Sequence, residues 1–179
     1  MADPESARGA GRIRAIFTCG EAGAPMQSLG EVRALKGRGL AGDRYLKGVG
    51  TYSKKPGVDR EVTLIEAEAL RALEAERGID LHPEESRRNL LTEGIRLNPL
   101  VGRTFRVGEV HLKGVRICEP CGYLQELTGK EVFEPLKGRG GLRAQILVDG
   151  TIRVGDAIEP TAEPIPQPAP APPRGGRSS

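Results

Sequence analysis

Short β-type runs broken by glycine dominate this chain, and they restrict the possible folds more than any other feature. GRIRAIFT (11–18) places Ile13, Ala15 and Phe17 on one face, the period-2 alternation of a half-buried strand. TFRVGEVHLKGVRI (104–117) reads as two such strands around Gly108-Glu109, with Phe105 and Val107 before the turn and Val110, Leu112, Val115 and Ile117 after it. AQILVDGTIRVGDAI (144–158) predicts a hairpin, because Asp149-Gly150 is a favoured two-residue turn. GEVRALKGRGLAGDRYL (30–46) is a short strand running into a Gly-rich loop, and REVTLI (60–65) is a β-branched run. One clear helix follows, EAEALRALEAERG (66–78), with Leu70 and Leu73 on one side and Gly78 as its stop. GYLQELTG (122–129) suits one short helical turn ended by Gly129. With 25 glycines in the chain, the expected class is mainly β, a barrel or sandwich with small helical additions. There is no internal repeat. No doubly wound α/β pattern is present either, which argues against a Rossmann-type nucleotide domain.

A length of 179 residues suits one domain with a tail. PTAEPIPQPAPAPPRGGRSS (160–179) holds seven of the 14 prolines and one large apolar residue, Ile165, the composition of a Pro-rich disordered tail. Residues 1–10 read as a flexible N-terminus, leaving 11–159 as the domain. No stretch is long and apolar enough to span a bilayer, and the N-terminus carries no run of signal-peptide length, so the expected location is cytoplasmic with no membrane partner. A net charge of +3, 3% aromatic residues and no Trp argue against nucleic acid as a partner. Three cysteines are too few for a disulfide framework and imply reduced thiols. Arg makes up 20 of the 27 basic residues. Its planar fork matches phosphate oxygens well, but taken alone the skew is better explained by the codon bias of a GC-rich genome.

Cys118 and Cys121 lie in RICEPCGYL, spaced Cys-x-x-Cys. A redox pair, half of a zinc site, a single working thiolate and a packed strand end all fit that spacing. A thioredoxin-like pair opens a helix in a βαβ unit, which is not the context here. A zinc site needs about four ligands, and the remaining candidates, Cys19, His82 and His111, are scattered singly. Burial as a small hydrophobe suits Cys19 and Cys118. Cys121 suits it less well, because it follows Pro120 and precedes Gly122 in a loop that a ligand can reach. In HPEESRRNLLTEG (82–94) the tandem Arg87-Arg88 reads as a solvated face. Asn89 could lock a turn or bind a ligand, and spacing alone favours the lock. GRGLAGDRYLKG, with Arg44, and KGRGGLRAQI, with Arg139 and Arg143, are Gly/Arg loops without a phosphate-binding pattern.

Five stretches, in this order, resemble the MOSC domain, named for the C-terminal domain of molybdenum-cofactor sulfurase. They are GRGLAGDRY, REVTLIEAEAL, SRRNLLTEGIRLNPLVGRTFRVGEV, CEPCGYLQELTG and GTIRVGDAI. The resemblance implies a β-barrel-like fold. It also implies that Cys121 is the working cysteine, supplying a thiolate to the molybdenum of a pterin cofactor, as in the amidoxime-reducing relatives. Arg87 and Asn89 match the family's Arg-x-Asn segment and would hold the pterin phosphate, with Arg60 and Arg44 as further cofactor-facing candidates. Two positions depart from the pattern: Glu119 stands where the reductases have Ser, and Gly138 where many small relatives have His. The extra N-terminal barrel of the reductases is missing.

Two activities follow from the resemblance. In one, the bound molybdenum cofactor reduces a small N-hydroxylated substrate with electrons from a separate reductase. In the other, Cys121 carries sulfur as a persulfide supplied by a cysteine desulfurase, with pyridoxal phosphate belonging only to that partner. A partner-binding module using the Pro-rich tail is a third reading.

Overall fold

The computed structural model describes residues 11–43, 60–120 and 122–161. They form eleven strands and two α-helices. The strands are β1 (Gly11–Thr18), β2 (Gln27–Leu29), β3 (Glu31–Leu35), β4 (Gly39–Leu40), β5 (Val62–Glu66), β6 (Leu90–Glu93), β7 (Thr104–Val107), β8 (Val110–Ile117), β9 (Leu142–Val148), β10 (Gly150–Arg153) and β11 (Ala157–Pro160). Helix α1 spans Ala67–Arg77 and α2 spans Gly122–Thr128. Seven strands close a barrel in the order β11-β7-β8-β9-β5-β6-β1, and β1 pairs back onto β11. β2 extends the sheet beyond β1, while β10-β3-β4 forms a separate three-stranded sheet.

The alternation of the sequence becomes the wall of this barrel, except in β1. Its pairing with β6 shifts register between Ile13 and Ala15, so Ile13 and Ile16 join the inner cluster while Ala15 and Phe17 pack with the outer one. Ile13, Val62, Leu64, Leu90, Phe105, Val107, Val110, Leu112, Leu142, Ala144, Ile146 and Ile158 form one buried cluster, so side chains fill the interior. The small sheet caps this cluster with Val32, Ala34, Leu40 and Ile152. β5 and β6 are parallel, which demands a crossover. α1 lies on that connection, and Gly78 ends it in the left-handed conformation with its N–H on the carbonyl of Glu74. Leu70 and Leu73 of α1 join Phe17, Ile65, Leu91, Leu124, Val132 and Leu136 in a second cluster against the outer wall.

The hairpin about Gly108-Glu109 forms as the alternation predicts. The one about Asp149-Gly150 does not. β9 pairs with β8 and β5, whereas β10 pairs with β3 of the small sheet. The chain leaves the barrel at Asp149, whose carboxylate accepts the Lys36 N–H at the end of β3. Turn chemistry is local, but the edge that a strand joins is set by distant partners. GYLQELTG forms a seven-residue helix, longer than the single turn expected.

Candidate functional site

Register builds a polar row across the outer wall. Thr63 on β5 lies opposite Arg143 on β9, and Arg143 lies opposite Arg116 on β8. Leu142, Ala144 and Leu64 point into the barrel, so Thr63 and Arg143 point out. Asn89, just before β6, continues the row beside Thr63. Two guanidiniums directly opposite one another repel, which costs stability unless an anion lies nearby. Burial is the main reason that Arg143 is held below the usual arginine pKa. Arg88, Arg116 and Arg60 push the same way, opposed by Cys118. Four arginines therefore share one electrostatic neighbourhood around the end of β8.

Three consecutive residues feeding β6 do different work. Arg87 adopts φ +63°, capping the 3-10 turn Pro83–Ser86. Its guanidinium donates to the carbonyl of Ala24 and lies 3.8 Å from Cys19 Sγ, tying it to the loop after β1. Asn89 is buried, and its amide is engaged on all sides. Its Oδ1 accepts from the N–H and hydroxyl of Thr63, each at 3.1 Å. Its Nδ2 donates to the carbonyl of Phe17 at 3.1 Å and to Asp43 Oδ1 at 3.3 Å. This is the lock that spacing favours, and it joins two quoted motifs, because Asp43 belongs to GRGLAGDRY. Arg88 points the third way: its Nε donates to the carbonyl of Gly140 at 3.0 Å, and Nη2 reaches the carbonyls of Cys118 and Glu119 at 3.5 and 3.4 Å.

The cysteine segment is thus held from both sides. Cys118, buried like Cys19, donates its N–H to Gly141 at 2.7 Å. Gly140 packs so closely that a Cβ there would meet the carbonyl oxygen of Cys118 at 2.4 Å. Cys121 and Arg44 lie outside the described residues. Cys121 is bracketed by described neighbours, buried Pro120 and exposed Gly122. The two departures from the family pattern meet: Glu119 Oε2 accepts the Gly138 N–H at 3.1 Å, and Gly138, at φ +77°, offers its carbonyl to Asn98 Nδ2 at 2.8 Å. The Glu119 carboxylate is thereby committed to the 138–141 segment. Among the described residues no group of three or more His, Cys, Asp or Glu could hold a metal ion.

Two clefts open on the outer surface. One, of about 430 Å³, runs between α1 and the loops bearing Arg96, Asn98 and Gly138. The other, of about 470 Å³, has Gly122 in its wall.

The MOSC domain profile matches residues 51–159. The chain belongs to the MOSC domain family. Several solved structures share the fold of this MOSC domain. The YuaD protein of Bacillus subtilis has a TM-score of 0.70 at 14% identity, covering 83% of this chain and 94% of that one. YiiM from Geobacillus stearothermophilus has a TM-score of 0.64 at 14% identity, covering 84% and 75%. YiiM from Escherichia coli has a TM-score of 0.61 at 19% identity, covering 85% and 70%. No curated protein sequence matches the chain. No helix among the described residues is long and apolar enough to cross a membrane.

The site residues named from the sequence are only partly brought together. Arg60 shares the arginine neighbourhood at the end of β8, while Arg87 and Asn89 bond to other parts of the protein. Arg88, Arg116 and Arg143 carry the neighbourhood and escaped the site reading. Alternation places Arg143 opposite in sense to Leu142 and Ala144, but its facing Arg116 depends on a register shift between Gly114 and Arg116.

Proposed function

We propose that this MOSC domain binds molybdenum cofactor at the outer wall beside the cysteine segment, with Cys121 as the thiolate ligand. The observation that carries this is the arginine neighbourhood of Arg60, Arg88, Arg116 and Arg143 at the end of β8. Clustered, partly desolvated guanidiniums fit a phosphorylated anion, and a soft thiolate suits molybdenum. Arg44 is a further cationic candidate. Arg87 and Asn89 serve by fixing the chain on either side of Arg88. Arg88 binds the backbone of the cysteine segment and orients it. Glu119 accepts the Gly138 N–H, which offsets part of the charge of a carboxylate that would otherwise disfavour a neighbouring thiolate.

When bound, the cofactor supplies two-electron redox chemistry. An N-hydroxylated substrate would take two electrons and two protons, giving the amine-type product and water, with the electrons from a separate reductase. The same cationic surroundings would also favour a thiolate carrying one sulfane sulfur from a cysteine desulfurase.

Native mass spectrometry decides between these readings, using protein purified anaerobically from a host that makes the cofactor, beside Cys121→Ser. A pterin-sized mass on the wild type alone is the expected result. One extra sulfur on the wild type alone would replace it with the carrier. Identical bare masses, with added cofactor also failing to bind, would overturn both.

A further inference from the structure

The outer wall of the barrel divides into two halves. Over β1, β5 and β6 it is covered, because Phe17, Ile65 and Leu91 meet Leu70, Leu73 and Leu124 of the two helices in the outer cluster. No member of that cluster comes from β7, β8 or β9. Those three strands carry no Asp or Glu. Phe105, Leu112 and Ile146 point inward, so their neighbours Thr104, Arg106, His111, Lys113 and Gln145 point out. Register sets them in rungs, with Lys113 between Thr104 and Gln145, and His111 between Arg106 and Val148. The stripe runs on to Arg116 opposite Arg143, the edge of the arginine neighbourhood.

Two groups on this face lack what they need. Lys113 is half-buried, and among the described residues no carboxylate pairs with it. His111 Nδ1 is buried without a hydrogen-bond partner among the described residues. Turning the ring over presents that nitrogen to solvent or to a partner. A cation partly removed from water without a counter-charge costs stability, and so does an unpaired ring nitrogen. Carboxylates brought from outside would relieve both. Arg106 is already satisfied by Glu159 of β11 at 2.6 Å. Val148, 39% exposed, adds an apolar contact beside His111. Cations around an apolar residue suit a protein surface, whereas no Tyr or Trp on these strands offers a base a stacking face, and Phe105 is turned inward.

We propose that the β7, β8 and β9 face docks an acidic protein, with clustered Asp or Glu side chains around a small apolar contact, and that this protein is the electron donor to the adjoining site. At about 3.3 Å per residue the stripe from His111 to Arg116 is roughly 17 Å long, on strands about 4.8 Å apart. Such a face offers roughly a few hundred Å², the scale of a transient encounter rather than a permanent complex. Opposite charge then speeds the encounter, and a small contact lets the partner leave once its electrons are delivered. The donor role rests on the cofactor reading. Docking of an acidic protein does not.

The test uses the full chain and a synthetic ten-residue peptide, eight glutamates around two central leucines, followed by amide NMR. The peptide is expected to move the Thr104, Lys113, Gln145 and Val148 amides and to bind more weakly as salt rises. Lys113→Glu should weaken it at least about fivefold, and Val148→Ser at least about twofold. Arg38→Glu, exposed on the small sheet, should leave it nearly unchanged. Lys113→Gln guards against a folding defect: it should weaken the peptide in the same direction while amides elsewhere stay put. No binding, equal weakening by Arg38→Glu and Lys113→Glu, or shifts confined to other faces overturns the proposal. Tighter binding of ten-nucleotide single-stranded DNA, or of phosphatidylserine vesicles, to the same amides overturns it in favour of nucleic acid or a membrane. Peptide binding by a protein that takes up no pterin would keep the docking face and sink the cofactor reading. Pterin uptake without peptide binding would do the reverse.

Discussion

The two faces of the barrel wall are built from the same strands and follow opposite rules. Inward, β5, β6, β8 and β9 present Val62, Leu64, Leu90, Leu112, Leu142 and Ala144, all buried in one apolar cluster. Outward, at the level of Thr63, the same strands carry Thr63, Arg143 and Arg116, with Asn89 beside them. The inner face secures the barrel, and the filled interior leaves no lumen for a ligand. The outer face carries a cluster of arginines around the end of β8. Candidate chemistry in this fold therefore sits on the wall and at strand ends.

Substitutions can break that division. The largest effect is expected inside: Phe105 is fully buried, and Phe105→Ala should cost about 3–5 kcal/mol, read by urea denaturation. An outer-wall residue matching that cost would erase the contrast. Asn89→Ala tests the border between the faces. It strands polar groups of Thr63, Phe17 and Asp43 and should cost roughly 1–3 kcal/mol, a structural penalty that would be missing if Asn89 served only a ligand.

Glu61 sharpens the contrast through pH. Burial pushes its carboxyl up to about 6, against the N–H groups of Ile146 and Gly37, which pull it down. The folded protein thus holds this proton more tightly than the unfolded chain. Stability should fall as pH rises from about 4.5 to about 6 and remain lower above, by about 2 kcal/mol. Glu61→Gln should flatten that window in thermal melts across pH; an unchanged slope would assign it to other groups. The smallest stability effect is expected at Arg143→Met, within about 1 kcal/mol. Pterin retention, measured by native mass spectrometry, should nevertheless be lost. Retention at the wild-type level would remove Arg143 from the site.

Much of the fold was legible because its signals are local. The alternation in β7 and β8, the glycine stop of α1 and the Gly108-Glu109 turn each depend on neighbours in sequence, whereas the one-face alternation expected of β1 is broken by a register shift against β6. The Asp149-Gly150 turn misled because β10 takes its partner from β3, more than a hundred residues earlier in the chain. The site was less legible for the same reason. The left-handed Arg87 resets the direction of each following side chain, so which of Arg87, Arg88 and Asn89 reaches the cysteine segment depends on backbone geometry. The meeting of Arg116 and Arg143 depends on pairing between strands, and the Glu119–Gly138 bond joins residues 19 positions apart.

Closure of the barrel joins its two most distant strands, Gly11 of β1 to Ile158 of β11. During synthesis the sheet must wait for β11, and until then β7 and the Gly11–Arg12 end of β1 present open edges, the templates for mispairing between chains. A chain interrupted before Ala157 would keep nearly all of its core residues yet lack the strand that joins those edges. It should aggregate through them rather than behave as a slightly weakened barrel. Slow maturation is also expected, since contacts this distant form late.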